Sequence, residues 1–202
     1  MNLSGFIKSR EKSPLIIAVD VEPEISIEGL LEQAKSYVAG VKFGLPYILR
    51  KGASEIKRII SKHRDNYFFI ADIKLADIGF VGGLMIDLVK EMGFDAFIAH
   101  GFIGLEGALK EIKKKADELG LFLFVVAAMS HPGAEEIFNK NFINIVEACR
   151  KISIDGYVAP ATLPRYIRQL RNLNPNAVII SPGVGAQGAR VGDGISSGAT
   201  FE

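Results

Sequence analysis

Eight short apolar runs alternate with segments of helical spacing along the 202 residues, and nothing linker-like interrupts them. That alternation predicts one α/β domain over 1–202, built as a (β/α)8 TIM barrel. The runs are nearly continuous in Val, Ile and Phe, which marks strands buried on both faces of a parallel sheet. An open doubly wound sheet loses weight. Its G-x-G-x-x-G should follow the first strand, which here ends Val-Asp-Val-Glu-Pro-Glu.

In order, the strand candidates are 15–20, 39–44, 67–74, 95–100, 121–130, 156–160, 177–183 and a short 199–202. Between the first two lies 26–38, where Ile27, Leu30, Leu31, Ala34 and Val38 form an apolar stripe. The later helices are expected over 53–64, 81–93, 105–120, 135–151 and 163–173. Gly93 and Gly120 stand where a helix C-terminus favours glycine. His63 reads as a surface residue at a polar helix end. Lys113, Lys114 and Lys115 read as a solvated face, as do Arg165, Arg168 and Arg171.

Composition narrows the function classes. Twenty-four Lys and Arg against 23 Asp and Glu leave a net charge of +1, which excludes a broadly basic nucleic-acid platform. The single cysteine, Cys149, excludes an internal disulfide framework and a cysteine-cluster metal site, and it fits a reducing cytoplasm. No apolar run reaches the roughly 18–20 residues of a membrane span. The N-terminal stretch 1–14 is too polar for a secretory signal.

In a barrel, chemistry gathers at the C-terminal ends of the strands. Here those ends carry Asp20, Lys42, then Asp72, Lys74 and Asp77. Charges ending apolar strands are costly unless paired or functional, and five across three successive strands form a site pattern. Strand alternation puts Asp72 and Lys74 on one side. Flanking carboxylates hold that lysine protonated, and Lys42 on the neighbouring strand completes an alternating row. A salt-bridge network without chemistry and a Mg²⁺ site on Asp72 are the other readings of the same residues. The second cluster is Ser181-Pro182-Gly183-Val184-Gly185-Ala186-Gln187-Gly188. Its glycines let backbone N–H groups approach an anion, and it stands where barrels bind phosphate. Gln187 can donate to a phosphate oxygen. The glycine-rich stretch 183–198 is expected to be a mobile phosphate-binding loop.

Taken together, Asp20, Lys42, Asp72-x-Lys74-x-x-Asp77-Ile78, Met129-Ser130-His131-Pro132-Gly133 and Pro182 to Gly188 resemble orotidine 5′-phosphate decarboxylase of the short archaeal type. The resemblance runs from about residue 14 to the C-terminus. It implies cofactor-free, metal-free conversion of orotidine 5′-monophosphate to UMP and CO₂ in pyrimidine biosynthesis. It further implies that Lys74 protonates C6 and that Asp72 faces the substrate carboxylate. Lys42 pairs with Asp72 and reaches the ribose, and Asp20 binds a ribose hydroxyl. Ser130 reads the pyrimidine amide edge. Gln187 and nearby backbone hold the phosphate, and Pro182, Gly183, Val184 and Gly185 belong to the substrate-binding set. The implied assembly is a cytoplasmic homodimer, with Asp77 completing the partner subunit's site.

Two departures from the family pattern stand out. After Asp77-Ile78 the family carries a proline and then a hydroxyl or amide residue, where this chain has Gly79-Phe80-Val81. The family also continues with a Val-Gly-Arg segment and a final helix beyond the position of Glu202, so the barrel is expected to be truncated at its eighth strand. Two further functions stay open on the sequence. One is a sister barrel acting on a sugar phosphate with Mg²⁺ on Asp72, and the other is a nucleotide-binding barrel without turnover.

Overall fold

Each long apolar run becomes a strand of one parallel sheet, with helices packed outside it. The computed structural model describes residues 3–9, 11 and 13–202, so 1, 2, 10 and 12 of the polar N-terminal stretch lie outside the described residues. The chain runs α1 (Leu3–Ser9), β1 (Ile16–Val19), α2 (Ile27–Ala34), β2 (Gly40–Gly44), α3 (Leu45–Lys51), α4 (Ala53–His63), β3 (Phe68–Leu75) and α5 (Gly79–Glu91). It continues β4 (Ala96–His100), α6 (Lys110–Leu119), β5 (Phe122–Val126), α7 (Phe142–Arg150), β6 (Gly156–Val158), α8 (Pro164–Leu173), β7 (Val178–Ile180) and α9 (Asp193–Ser196). The strands neighbour one another in the order β1 to β7, all parallel.

Alternation within the strands divides the core in two. Phe68, Ile70, Ala96, Ile98, Phe124, Val126, Val178 and Ile180 fill the inside of the curled sheet. Their neighbours Phe69, Ala71, Phe97, Ala99, Leu123, Val125 and Ile179 face the helices. A strand buried on both sides must be apolar at every position, which is why the runs read as continuous. Phe6 of α1 stacks between Phe68 and Phe201, with ring centroids 4.1 Å apart in each pair, and fills the N-terminal end. Burying one such ring contributes about 1.5–3 kcal/mol.

The eighth place in the sheet is held by residues 200–202. Thr200 and Phe201 N–H donate to Ile179 O at 2.8 and 3.0 Å, and Ser181 N–H donates to Phe201 O at 2.8 Å. On the other side, Ile16 N–H donates to Glu202 O and Glu202 N–H to Pro14 O, at 2.8 and 2.9 Å. Three residues thus connect β7 to β1, where the family pattern leads one to expect a full strand.

Aspartates at the N-terminal end of the strands tie turns to strands. Asp95 accepts from Phe69 N–H at 2.8 Å and Asp155 accepts from Leu123 N–H at 2.9 Å. Both bonds join the turn entering one strand to the start of the strand before it.

Three expectations about helix faces change. His63 is buried, 1% exposed, with neither ring nitrogen hydrogen-bonded. Burial pushes its pKa down, so the ring is neutral. It shares the inward stripe of Ile56, Ile59 and Ile60, at helical spacing. Lys113 is buried as well and pairs with Asp117 and Asp155. Arg165 and Arg168 are exposed as expected, Arg165 pairing with Glu135, whereas Arg171 is half-buried and donates to the carbonyls of Pro175, Ala177 and Gly198. Among the described residues, no helix is long and apolar enough to cross a membrane.

Candidate active site

The charged strand ends meet at one mouth of the barrel. Gly40, Lys42 and Gly44 point inward from β2, and Lys42 and Gly44 are the register partners of Ile70 and Asp72 on β3. Lys42 Nζ donates to Asp72 Oδ2 at 2.7 Å, and Lys74 Nζ donates to Asp72 Oδ1 at 2.8 Å. The Lys42 and Asp72 side chains are 9% and 7% exposed, whereas Lys74 is 45% exposed. Burial alone favours a protonated Asp72, but the two ammonium groups and their hydrogen bonds outweigh it and hold the carboxyl below its ordinary range. The row is therefore ammonium, carboxylate, ammonium.

Asp72 and Lys74 meet as the sequence predicts, but not through simple alternation. Between the register pairs Ala71–Phe97 and Leu75–Ala99, four steps along β3 match only two along β4. Within this bulge Lys74 has φ +44°, a left-handed conformation unusual for a side chain with a Cβ. Such a residue costs about 1–3 kcal/mol, so the surrounding packing must hold it there. The bulge aims the Lys74 ammonium back at Asp72 instead of along the strand.

These groups line a cavity of about 590 Å³. Asp20 joins them from the end of β1. Its carboxylate lies against Gly44, where an added Cβ would fall 1.8 Å from Oδ1, so only glycine leaves Asp20 this position. Ser130, Pro182, Gly183, Val184 and Gln187 complete the predicted residues on the wall. Gly185 and Asp77 do not line it. Gly185 forms a turn, its N–H donating to Ala189 O at 3.1 Å, and Asp77 is exposed, accepting from Ile78 N–H at 2.8 Å.

Ser130 and Gln187, predicted to serve opposite ends of a ligand, touch one another: Ser130 Oγ donates to Gln187 Oε1 at 2.8 Å. The loop after β7 carries positive φ at Gly183 (127°), Gly185 (77°) and Gly188 (91°), which lets it fold back on itself. The wall also holds residues that no sequence motif marks, Glu202 and Pro160 among them. Glu202 accepts from the N–H groups of Gly192 and Ile195 at 2.5 and 3.4 Å, fastening the far end of the loop. Pro160 follows β6. His100 lies in the adjoining wall, its ring against Phe102 and Phe138 at 4.9 and 5.7 Å. Burial first, and then the Lys74 charge, lower its pKa, so it is neutral.

The donor set does not suit a divalent cation. Each Asp72 oxygen already accepts from an ammonium, and among the described residues no three His, Cys, Asp or Glu side chains converge on one point.

Residues 13–198 match the sequence model of the orotidine 5′-phosphate decarboxylase / HUMPS family. The chain belongs to that family. Its relatives include the orotidine 5′-phosphate decarboxylase of Aeropyrum pernix, 38% identical over 192 residues, which are 93% of this chain and 78% of the relative. Among solved structures, orotidine 5′-monophosphate decarboxylase from Sulfolobus solfataricus superposes with TM-score 0.84 at 34% identity, over 95% of this chain and 87% of that one. The Methanocaldococcus jannaschii enzyme complexed with the inhibitor BMP gives TM-score 0.82 at 32% identity, over 92% and 85%.

Proposed function

We propose that this chain decarboxylates orotidine 5′-monophosphate to UMP and CO₂, without metal or organic cofactor. The carrying observation is the Lys42–Asp72–Lys74 row, with the half-exposed end of a buried ion triad facing the cavity. Loss of CO₂ leaves an electron pair at C6 of the pyrimidine. The Lys74 ammonium, already oriented by Asp72, stabilises that developing charge and then delivers its proton to C6. Asp72 stays ionised beside the departing carboxylate, so their repulsion is relieved as CO₂ leaves. Lys42 neutralises Asp72 from behind and reaches the ribose, while Asp20 accepts from a ribose hydroxyl. Ser130 reads the base. Gln187 and the backbone N–H groups of Gly183 and Val184, beside Pro182 in the wall, take the phosphate, and loop 183–198 closes over it.

We further propose a cytoplasmic homodimer. Asp77 stands off its own cavity next to an apolar surface: Ile78, Phe80, Leu84 and Leu88 are 61%, 76%, 53% and 55% exposed. A second copy that covers this surface brings Asp77 toward the other cavity. Mixing Asp77→Asn with Lys74→Ala subunits then restores part of the activity, because one site of each heterodimer has both groups. Verified heterodimers without rescue would count against the shared site.

The deciding experiment follows the absorbance of orotidine 5′-monophosphate in buffer with EDTA. Decay at an unchanged rate is expected. Activity lost to EDTA favours a Mg²⁺-dependent sister enzyme, and UMP binding without decay favours a non-catalytic barrel.

A further inference from the structure

β6 ends at Val158, and the last ladder bond between β5 and its neighbour is Ala127 N–H to Val158 O at 2.9 Å. Beyond it the chain still has to place Ser130 in the cavity wall without a strand to lean on. The side chain of Asn139 stands in for that strand. Its Oδ1 accepts from Met129 N–H at 2.9 Å and its Nδ2 donates to Met129 O at 3.0 Å. A carboxamide has the donor and acceptor of a peptide group, so Asn139 extends the ladder by one residue, immediately before Ser130.

The amide is itself oriented. Asn139 is 4% exposed, and Nδ2 also donates to Glu135 Oε1 at 2.7 Å. A carboxylate only accepts and a backbone N–H only donates, so this set of bonds admits one orientation of the amide. Glu135 is held in turn from α8. Tyr166 Oη donates to Oε2 at 2.9 Å and Arg165 Nη2 to Oε1 at 2.8 Å. Hydrogen bonds, that from Asn139 foremost, keep the Glu135 carboxyl below its ordinary range. A chain of contacts thus runs from α8 through Glu135 and Asn139 to the residue that precedes Ser130.

We infer that Asn139, oriented by Glu135, is a positioning residue that acts through Ser130 on recognition of the base. The inference rests on the decarboxylase reading and on Ser130 as a substrate contact. A part that only supported the fold would weaken the enzyme whether or not Ser130 had its hydroxyl; a part that acts through Ser130 would not.

The test is a double-mutant cycle on kcat/KM for orotidine 5′-monophosphate. Asn139→Ala alone is expected to lower kcat/KM about tenfold, because hydrogen bonds at a buried polar site are removed. In a Ser130→Ala background the same change is expected to cost less than about twofold. Equal losses in the two backgrounds would overturn the inference. Should Asn139→Ala fail to fold, Glu135→Gln takes its place, since that side chain is 42% exposed and the change keeps its shape. About a threefold loss, confined to the Ser130 background, is then expected, and equal losses again refute. An active parent with equal losses overturns this inference alone. A folded parent chain without turnover overturns the decarboxylase reading, and this inference with it.

Discussion

Replacing Asp72 by Asn removes a charge and keeps the shape, and it strands Lys42. That ammonium is 9% exposed at its side chain and has Asp72 as its only carboxylate partner among the described residues. Removing one member of a buried pair typically costs about 3–5 kcal/mol, because the remaining charge is neither solvated nor compensated. Lys74→Ala is the control. Its ammonium is 45% exposed, and Asp72 keeps Lys42 when it goes. A pair so accessible to water contributes about 0–1 kcal/mol. Urea unfolding at pH 7 should therefore separate the variants, with Asp72→Asn losing about 3 kcal/mol or more and Lys74→Ala about 1 or less. Both should lose turnover, so stability and activity part company at Lys74. The pH dependence has a definite sign. Because the folded Asp72 carboxyl titrates below its ordinary range, its contribution is complete above the unfolded value of about 3.9. It disappears as pH falls through the lower folded value, so parent and Asp72→Asn should converge only in strong acid. Equal destabilisation by the two substitutions, or a gap that is lost near neutrality, would refute this account of the row.

The strain at Lys74 gives a second expectation. Glycine normally destabilises a strand relative to alanine by about 0.5–1 kcal/mol; at φ +44° the order inverts, and Lys74→Gly should unfold at higher urea than Lys74→Ala. The reverse order would show that the bulge is relaxed. Gly44→Ala puts a methyl group 1.8 Å from Asp20 Oδ1 and drives that side chain away. It should lower kcat/KM at least about tenfold, as loss of a charged hydrogen bond does. Asp20→Ala should add almost nothing on top, and a fully additive loss would argue against it. Burial pushes the Cys149 thiol up to about 12, so a thiol reagent should label it only at the rate of unfolding. Prompt labelling of the native protein would mean that α7 packs more loosely than described.

Much of the fold was legible because one physical cause shapes both sequence and structure. A strand between a barrel interior and a ring of helices has no polar face, and the runs at 67–74 and 95–100 became β3 and β4 within a residue at each end. The apolar run at 121–130 outlasts its strand, because β5 stops at Val126 while the apolar residues continue into the cavity wall. Periodicity carries the longer helices but not α3, where Pro46 looks like a break yet occupies the first turn, where its missing N–H costs nothing. The stretch 135–151 has the spacing of one helix, whereas α7 begins at Phe142 after two short 3₁₀ turns. Those turns carry Glu135 and Asn139, whose side chains bond to one another, to α8 and to the backbone of Met129, and so leave no periodic trace.

The site divides along the same line. Lys42, Asp72 and Lys74 were legible because charges at the ends of apolar strands must have partners, and the two strands lie side by side. What the residues could not convey is how the partners are brought within 3 Å. That depends on a register shift and one left-handed residue, and nothing in Ile-Lys-Leu announces either. Asp20 was nameable, but its position depends on the absence of a side chain at Gly44, a constraint carried by the neighbouring strand. The resemblance places Ser130 and Gln187 at separate ends of a ligand, while their hydrogen bond links the segment after β5 to the loop after β7. On the proposed reading loop closure and base recognition are coupled through one amide: Gln187 donates from Nε2 to the phosphate while its Oε1 accepts from the Ser130 hydroxyl. An orotidine analogue without the phosphate should accordingly lose sensitivity to Ser130→Ala together with its affinity, whereas independent subsites would leave that sensitivity unchanged.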